Sequence, residues 1–357
     1  MTPETMVAAL DFVASLVTET GQQSVKVTFH GGEPLMAGHA ILRQALKGLE
    51  SRFGRGGYEV GLQSNLWLLD DEFCELFAEH GVEIGTSLDG PEETTDAQRG
   101  DGYFARTMRG VALARKHGLK AGCIATFTPS SVCCWQDVLD FFRAERLVLF
   151  IHAAVPLMGS NDASYSLSSM QYANLLRNAL GYYIEHRNEM VVSSLDQMCQ
   201  CVAFAEGKVC AFRDCLGMFL AIGPGGDIYP CQRFCGMPAY RLGNLTDNPS
   251  LNDLLSSRMA RRMSEREDRV NEECGGCDHI DYCRGGCPYN ALSGGGSARV
   301  KDPYCEAYRA IFTDIRKRLV QEMNSQENVK AIASLQHPAE RHPLLVKGPL
   351  SELLRRS

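Results

Sequence analysis

Fifteen cysteines in 357 residues constrain this chain more than any other feature, because of where they fall. Cys74, Cys123, Cys133 and Cys134 are scattered in the first half, while eleven crowd between Cys199 and Cys305. The densest stretch, CGGCDHIDYCRGGC from Cys274 to Cys287, has gaps of two, five and three residues. A Cys-x2-Cys pair lets two thiolates converge on one metal from a tight turn, and the glycines of CGGC and CRGGC permit it. A zinc ribbon wants a second matching pair, which is absent. Spacing alone therefore argues for metal and leaves iron–sulfur and zinc both open.

Nothing at the N-terminus reads as a secretory signal, so the thiols are expected in a reducing cytoplasm, as metal ligands or catalytic groups rather than disulfides. No apolar run approaches the ~20 residues that span a bilayer, which argues against a membrane partner. A net charge of −7 without a dense basic patch argues against nucleic acid. The most basic stretch, RMARRMSERE from Arg258, is interrupted by acids and reads as a solvated helix face.

The first half alternates short strand-like runs, at 25–32, 58–65, 82–90, 120–129 and 146–156, with amphipathic helical stretches at about 3–19, 38–53, 70–80, 104–117 and 132–145. Thr2 before Pro3 marks a helix start, and the helix opened by Asp70 closes on Gly81. Such alternation predicts an α/β fold with a parallel sheet, either open and doubly wound or part of a βα barrel. A ligand then belongs at the C-terminal ends of the strands. Small and polar residues gather there: His30-Gly31-Gly32-Glu33-Pro34, Ser64-Asn65, Ser87 and Asp89-Gly90. A helix over 166–188 leads into the cysteine-rich half, where sheet and helix signals are weak and metal is expected to support folding. After about residue 325 a short helix and an irregular tail are expected.

These strand-end segments, FHGGEPL, QSN and SLDGPEETTDAQR, resemble the radical S-adenosylmethionine (SAM) enzymes. More narrowly they resemble the subgroup with a SPASM domain, which includes anaerobic sulfatase-maturating enzymes and peptide-modifying maturases. That domain's signature is matched by Cys215, by Gly226-x4-Cys231, by the run from Cys274 to Cys287, and by Cys305. The resemblance covers roughly residues 1–320. It implies a partial (β/α)6 barrel lacking its first strand over 1–165, a helical bridge over 166–205, a loop-rich SPASM domain over 206–320 and a tail over 321–357. It also implies two auxiliary [4Fe–4S] clusters, one on Cys210, Cys215, Cys231 and Cys287, the other on Cys274, Cys277, Cys283 and Cys305. Gly31, Gly32, Glu33 and Pro34 would meet the methionyl amino group of SAM, and Ser64, Asn65, Ser87 and Asp89 would lie around its ribose and methionine. Cys235 matches no motif position and reads as a spare thiol. Cys199, Cys201 and the four first-half cysteines read as buried small hydrophobes.

The family's Cys-x3-Cys-x2-Cys motif, which holds a third [4Fe–4S] cluster against SAM, occurs nowhere in this sequence. In relatives it shortly precedes a segment like MTPETMVAALDF, so Met1 is expected to be an internal methionine of a longer, full-length form. A cluster-bearing pseudoenzyme is the alternative. Sulfatase maturases carry an aspartate directly after the cysteine of YPC, where this chain has Gln232, and an amide cannot serve as that base. The resemblance thus implies oxidative modification of a ribosomally made peptide or protein through a 5′-deoxyadenosyl radical, with electrons from a flavodoxin or ferredoxin. Sulfatase maturation and non-catalytic iron–sulfur or peptide binding are the alternatives.

Overall fold

In the computed structural model the expected caps are in place. The Thr2 side chain accepts the Thr5 N–H ahead of α1 (Pro3–Thr20), and Pro3 takes a position whose N–H has no helical partner. Asp70 accepts the Phe73 N–H at the start of α3 (Asp71–His80), and Gly81 closes that helix in the left-handed region. The structure describes residues 1–160, 162–213, 215–296 and 300–324. The tail expected after residue 325 lies outside them.

Five strands, β1 (Val25–Phe29), β2 (Tyr58–Gln63), β3 (Glu83–Ser87), β4 (Ala121–Phe127) and β5 (Val148–Ala153), form one sheet in the order β1-β2-β3-β4-β5. β1 pairs in parallel with β2, and β2 with β3. A doubly wound sheet reverses its strand order at a switch point, whereas this order follows the chain throughout, as in the wall of a βα barrel. The alternative left open by the sequence is thereby settled. The strands stop short of the expected ranges, so His30–Gly32, Ser64–Asn65 and Leu88–Gly90 leave the sheet as loops at its C-terminal edge.

Helices α2 (Gly38–Phe53), α4 (Glu92–Arg99), α5 (Tyr103–Lys116) and α6 (Trp135–Ala144) complete the first half. α4 was not foreseen in the SLDGPEETTDAQR segment. Its acids Glu92 and Glu93 at the start and Arg99 at the end suit the helix dipole.

The chain divides into two compact units that interleave along the sequence. Among the described residues the first comprises 1–88, 95–123 and 216–264; the second comprises 89–94, 124–215 and 265–324. In the first unit Leu42, Leu46 and Leu49 of α2 and Phe73 and Phe77 of α3 are buried. A small antiparallel sheet of β6 (Ala221–Ile222), β7 (Asp227–Tyr229) and β8 (Gly243–Asn244) also belongs to it. In the second unit α7 (Ser169–Glu185) and α8 (Ser193–Phe204) pack on a later helix, Cys305–Asn324.

The weak helix signal expected beyond residue 200 is corrected by two long helices. The chain runs through α9 (Leu251–Leu255), α10 (Arg258–Glu273), α11 (Ile280–Cys283), α12 (Pro288–Ser293) and α13 (Cys305–Asn324). On α10 Met259, Ala260, Met263, Arg266 and Val270 are buried, with Met259, Met263, Arg266 and Val270 spaced four, three and four. An arginine inside that stripe hid its helical period. The reading of RMARRMSERE as wholly solvated is corrected at the same residue, since Arg266 is 1% exposed.

One close approach ties a helix of the first unit to the strand-end loops. Leu66, just past β2, has φ 64°, and a Cβ on Gly110 of α5 would stand 2.5 Å from the Leu66 Cβ and 2.7 Å from its carbonyl oxygen. Alanine gains ~1 kcal/mol of helix propensity over glycine, but overpacking costs about 1–3 kcal/mol. Gly110→Ala is therefore expected to lower the urea unfolding midpoint. A raised midpoint would show that the loop yields.

Candidate functional site

Past β1 the chain turns through His30, Gly31 and Gly32 to Glu33. Gly31 sits at φ 130°, a conformation that side-chain-bearing residues rarely adopt. A Cβ on Gly31 or Gly32 would meet no protein atom within 4 Å, so this backbone borders open space that a ligand can enter. Pro34 then opens a short 3₁₀ turn, Pro34–Ala37.

Glu33 joins two strand ends. Its Oε1 accepts the Leu35 N–H at 3.0 Å and the Ser64 hydroxyl at 2.7 Å, and its Oε2 accepts the Asn65 N–H at 2.9 Å. A carboxylate offers about four acceptor directions, so roughly one remains for anything else. The Ser64 oxygen in turn accepts the Leu66 N–H at 2.9 Å, and Asn65 Oδ1 accepts the Trp67 N–H at 2.9 Å. That Asx turn follows directly from an asparagine placed at the end of a strand.

Three neighbours escaped the sequence reading. The Thr107 hydroxyl donates to the Asn65 carbonyl at 3.3 Å and accepts the Trp67 indole N–H at 3.2 Å. The Arg106 guanidinium lies 4.8 Å from the centre of the Trp67 ring. Their only sequence signal is Trp67 itself, a large aromatic 40% exposed two residues beyond a polar strand end.

Ser87 is the last residue of β3 and is half-buried. Asp89 belongs to the second unit and is 3% exposed; its Oδ1 accepts the Thr126 N–H of β4 at 2.9 Å. Glu33, Ser64 and Asn65 are thus brought together by direct bonds, while Asp89 is engaged with a neighbouring strand.

The thiols Cys274, Cys277, Cys283 and Cys305 all lie in the second unit, each placed by a helix end or a turn. Cys274 follows α10 and donates its N–H to the Val270 carbonyl at 2.8 Å; Cys277 closes a turn onto the Cys274 carbonyl at 2.9 Å. Cys283 ends α11 and Cys305 begins α13. Burial raises the Cys274 thiol above its ordinary value, and the nearby Cys305 and Cys277 add to it. Burial pushes Cys283 up to about 12, with Cys305, Cys274 and Cys277 contributing. The four sulfurs therefore share one electrostatic neighbourhood. Among the described residues no three His, Cys, Asp or Glu side chains form a preassembled metal group, and no disulfide joins two cysteines. Four thiols at this spacing suit an iron–sulfur cluster.

The other expected set divides between the units, with Cys210, Cys215 and Cys287 in the second and Cys231 in the first. Cys231 precedes the 3₁₀ turn Gln232–Phe234, and Gln232 is exposed. Cys235 packs beside Gly223, its sulfur 3.4 Å from where a Cβ would stand. Cys74, Cys123, Cys199 and Cys201 are buried, as expected of small hydrophobes. Cys133 is exposed and Cys134 half-buried, which corrects that reading for the adjacent pair, whose sulfurs lie 3.6 Å apart.

A sequentially ordered α/β sheet with a loop site at its C-terminal edge, followed by a thiol-rich region, defines a radical SAM fold with an iron–sulfur extension. Residues 8–142 match the Radical SAM superfamily, and residues 210–278 match SPASM, an iron–sulfur cluster-binding domain. The chain belongs to the radical SAM/SPASM family. It is 39% identical over 196 residues to an uncharacterized protein of Methanothermobacter thermautotrophicus, covering 55% of this chain and 75% of that one. It is 24% identical to the cysteine-type anaerobic sulfatase-maturating enzyme of Clostridium perfringens, covering 85% and 83%. The solved structure of native anSMEcpe with bound AdoMet and Cp18Cys peptide shares the fold, with a TM-score of 0.77 at 22% identity, covering 88% and 90%. No helix among the described residues is long and apolar enough to cross a membrane.

Replacing Glu33 with glutamine turns an amide toward at least one of its three donors. Leaving such a donor unmatched costs about 1–3 kcal/mol, so Glu33→Gln should speed hydrogen exchange at the Asn65 or Leu35 amide about ten- to hundredfold. Unchanged exchange at both amides would refute the bridging role.

Proposed function

We propose that this protein oxidatively modifies a ribosomally made peptide or protein, with SAM at the strand-end loops and two auxiliary clusters on its SPASM cysteines. The observation that supports the reading is the pairing, in one chain, of the open Gly31–Gly32 backbone held by Glu33 with the fixed spacing of Cys274, Cys277, Cys283 and Cys305. Gly31, Gly32, Glu33 and Pro34 would receive the methionyl end of SAM, and Ser64, Asn65, Ser87 and Asp89 would surround the rest. Cys274, Cys277, Cys283 and Cys305 would hold one [4Fe–4S] cluster and Cys210, Cys215, Cys231 and Cys287 the other.

In a full-length form, SAM with a third cluster, whose Cys-x3-Cys-x2-Cys ligands this sequence does not carry, would supply a hydrogen-abstracting radical, and auxiliary clusters would supply a sink for the electron released on oxidation. The residues of this chain provide placement. Glu33 fixes two strand-end loops through three hydrogen bonds, so the binding edge is rigid before a ligand arrives. The two glycines leave backbone groups open to a close ligand. A flavodoxin or ferredoxin would deliver reducing electrons.

Among maturase substrates, a precursor peptide is favoured over a sulfatase. Gln232 follows Cys231 where the sulfatase maturases carry their aspartate, and no carboxylate stands at that position to accept a proton. The test is anaerobic co-expression of the full reading frame with either a short precursor peptide encoded beside it or an 18-residue sulfatase peptide. Mass spectrometry should show loss of hydrogen from the precursor peptide and none of the formylglycine product in the sulfatase peptide. Formylglycine formation would reverse the assignment.

A further inference from the structure

Two fully buried charged residues, neither part of the expected ligand sets, converge on the turn that separates Cys283 from Cys287. Arg266 and Asp302 are each 1% exposed. Burying a charge is costly unless specific hydrogen bonds compensate it, so a pair of such residues at one turn calls for a function.

Asp302 makes contact with three parts of the cysteine region. Its Oδ2 accepts the Cys287 N–H at 2.9 Å and the Asn290 side-chain amide at 2.8 Å, while Oδ1 accepts the Tyr304 N–H at 2.8 Å. The Tyr308 hydroxyl donates to Oδ2 from 3.4 Å. Its backbone N–H donates to the Gly285 carbonyl at 2.7 Å, and its carbonyl accepts the Cys305 N–H at 3.0 Å. Arg266 approaches the same turn from α10, its Nη2 donating to the carbonyls of Gly285 at 3.2 Å and Gly286 at 3.0 Å.

The glycines of CRGGC answer to these two residues. Gly285 and Gly286 lie at φ 73° and 76°, and a Cβ on Gly286 would stand 2.3 Å from the Asp302 Cβ. A Cβ on Gly285 would stand 2.3 Å from Val270, one turn beyond Arg266 on α10. The turn is therefore closed from both sides, and neither position has room for a side chain.

We infer that Asp302 and Arg266 are positioning residues that fix the Cys283–Cys287 turn, with Asp302 setting Cys287 and Cys305 in one frame. This rests on the ligand sets proposed above, in which Cys287 serves one cluster and Cys283 and Cys305 the other. Asp302 is then the residue that holds a ligand of each cluster, Cys287 through its carboxylate and Cys305 through its backbone carbonyl. A glutamate would carry its carboxylate one methylene away from the position where the Cys287, Asn290 and Tyr304 donors meet it. An asparagine cannot replace it, because a carboxamide offers a single oxygen to donors that arrive on both sides.

The experiment compares iron content and EPR spectra of the anaerobically reconstituted wild type, Asp302→Asn and Cys287→Ala. Asp302→Asn should lose about half of the wild-type iron, and its remaining signal should match that of Cys287→Ala. Full iron with wild-type spectra in Asp302→Asn, beside a half loss in Cys287→Ala, would overturn the inference alone. Full iron in Cys287→Ala would instead overturn the ligand sets. Asn290→Ala, which removes one donor to the carboxylate, serves if Asp302→Asn fails to fold. It should shift the midpoint potential of one auxiliary cluster and leave the other unchanged; no shift in either would also overturn the inference.

Discussion

Burial disfavours ionisation of Cys274, Cys283 and Cys305, and neighbouring cysteines disfavour it further. Cys274, Cys283 and Cys305 are all raised above the ordinary thiol value, with burial as the first cause in each. A bound cationic cluster reverses that balance, because each thiolate then gains a metal bond in place of a repelling neighbour. These thiols sit at helix ends and in the tight turns between them, so folding of this region and its loading with metal are expected to be one linked equilibrium. The turns described above (CGGC, CRGGC and the start of α13) are the backbone's part in it.

The strand-end site rests on a different principle. There the preorganisation is done by a carboxylate that bonds across two strand ends, leaving the glycine backbone before it clear. Glu33 does most of its visible work within the protein, and the ligand-facing surface is the open backbone of Gly31 and Gly32. The hydrogen-bonded edge and the cysteine-rich region occupy one chain, the combination that the proposed function draws on: a fixed reacting centre and a separate place for electrons.

Much of this was legible in the sequence because local chemistry determined it. Thr2, Pro3, Asp70 and Gly81 cap helices by mechanisms that depend on a few adjacent residues. The strand-end glycines and polar residues were readable for the same reason, as were the fixed gaps between cysteines. What was not readable depended on partners far away in the chain. Arg266 looked like one more surface arginine until its carbonyl partners near residue 285 were known, and Asp302 had no motif at all. Thr107 and Arg106 reach the site from α5, some forty residues beyond the strand end they support. Cys133 and Cys134 misled in the opposite sense, since composition alone could not tell an exposed thiol pair from a buried one.

The central claim is that eight cysteines of this chain hold two iron–sulfur clusters. Elemental and sulfide analysis of the wild-type chain after anaerobic reconstitution tests it most directly. Two [4Fe–4S] clusters predict about eight irons and about eight sulfides per chain. Tightly bound zinc with no iron would contradict the account.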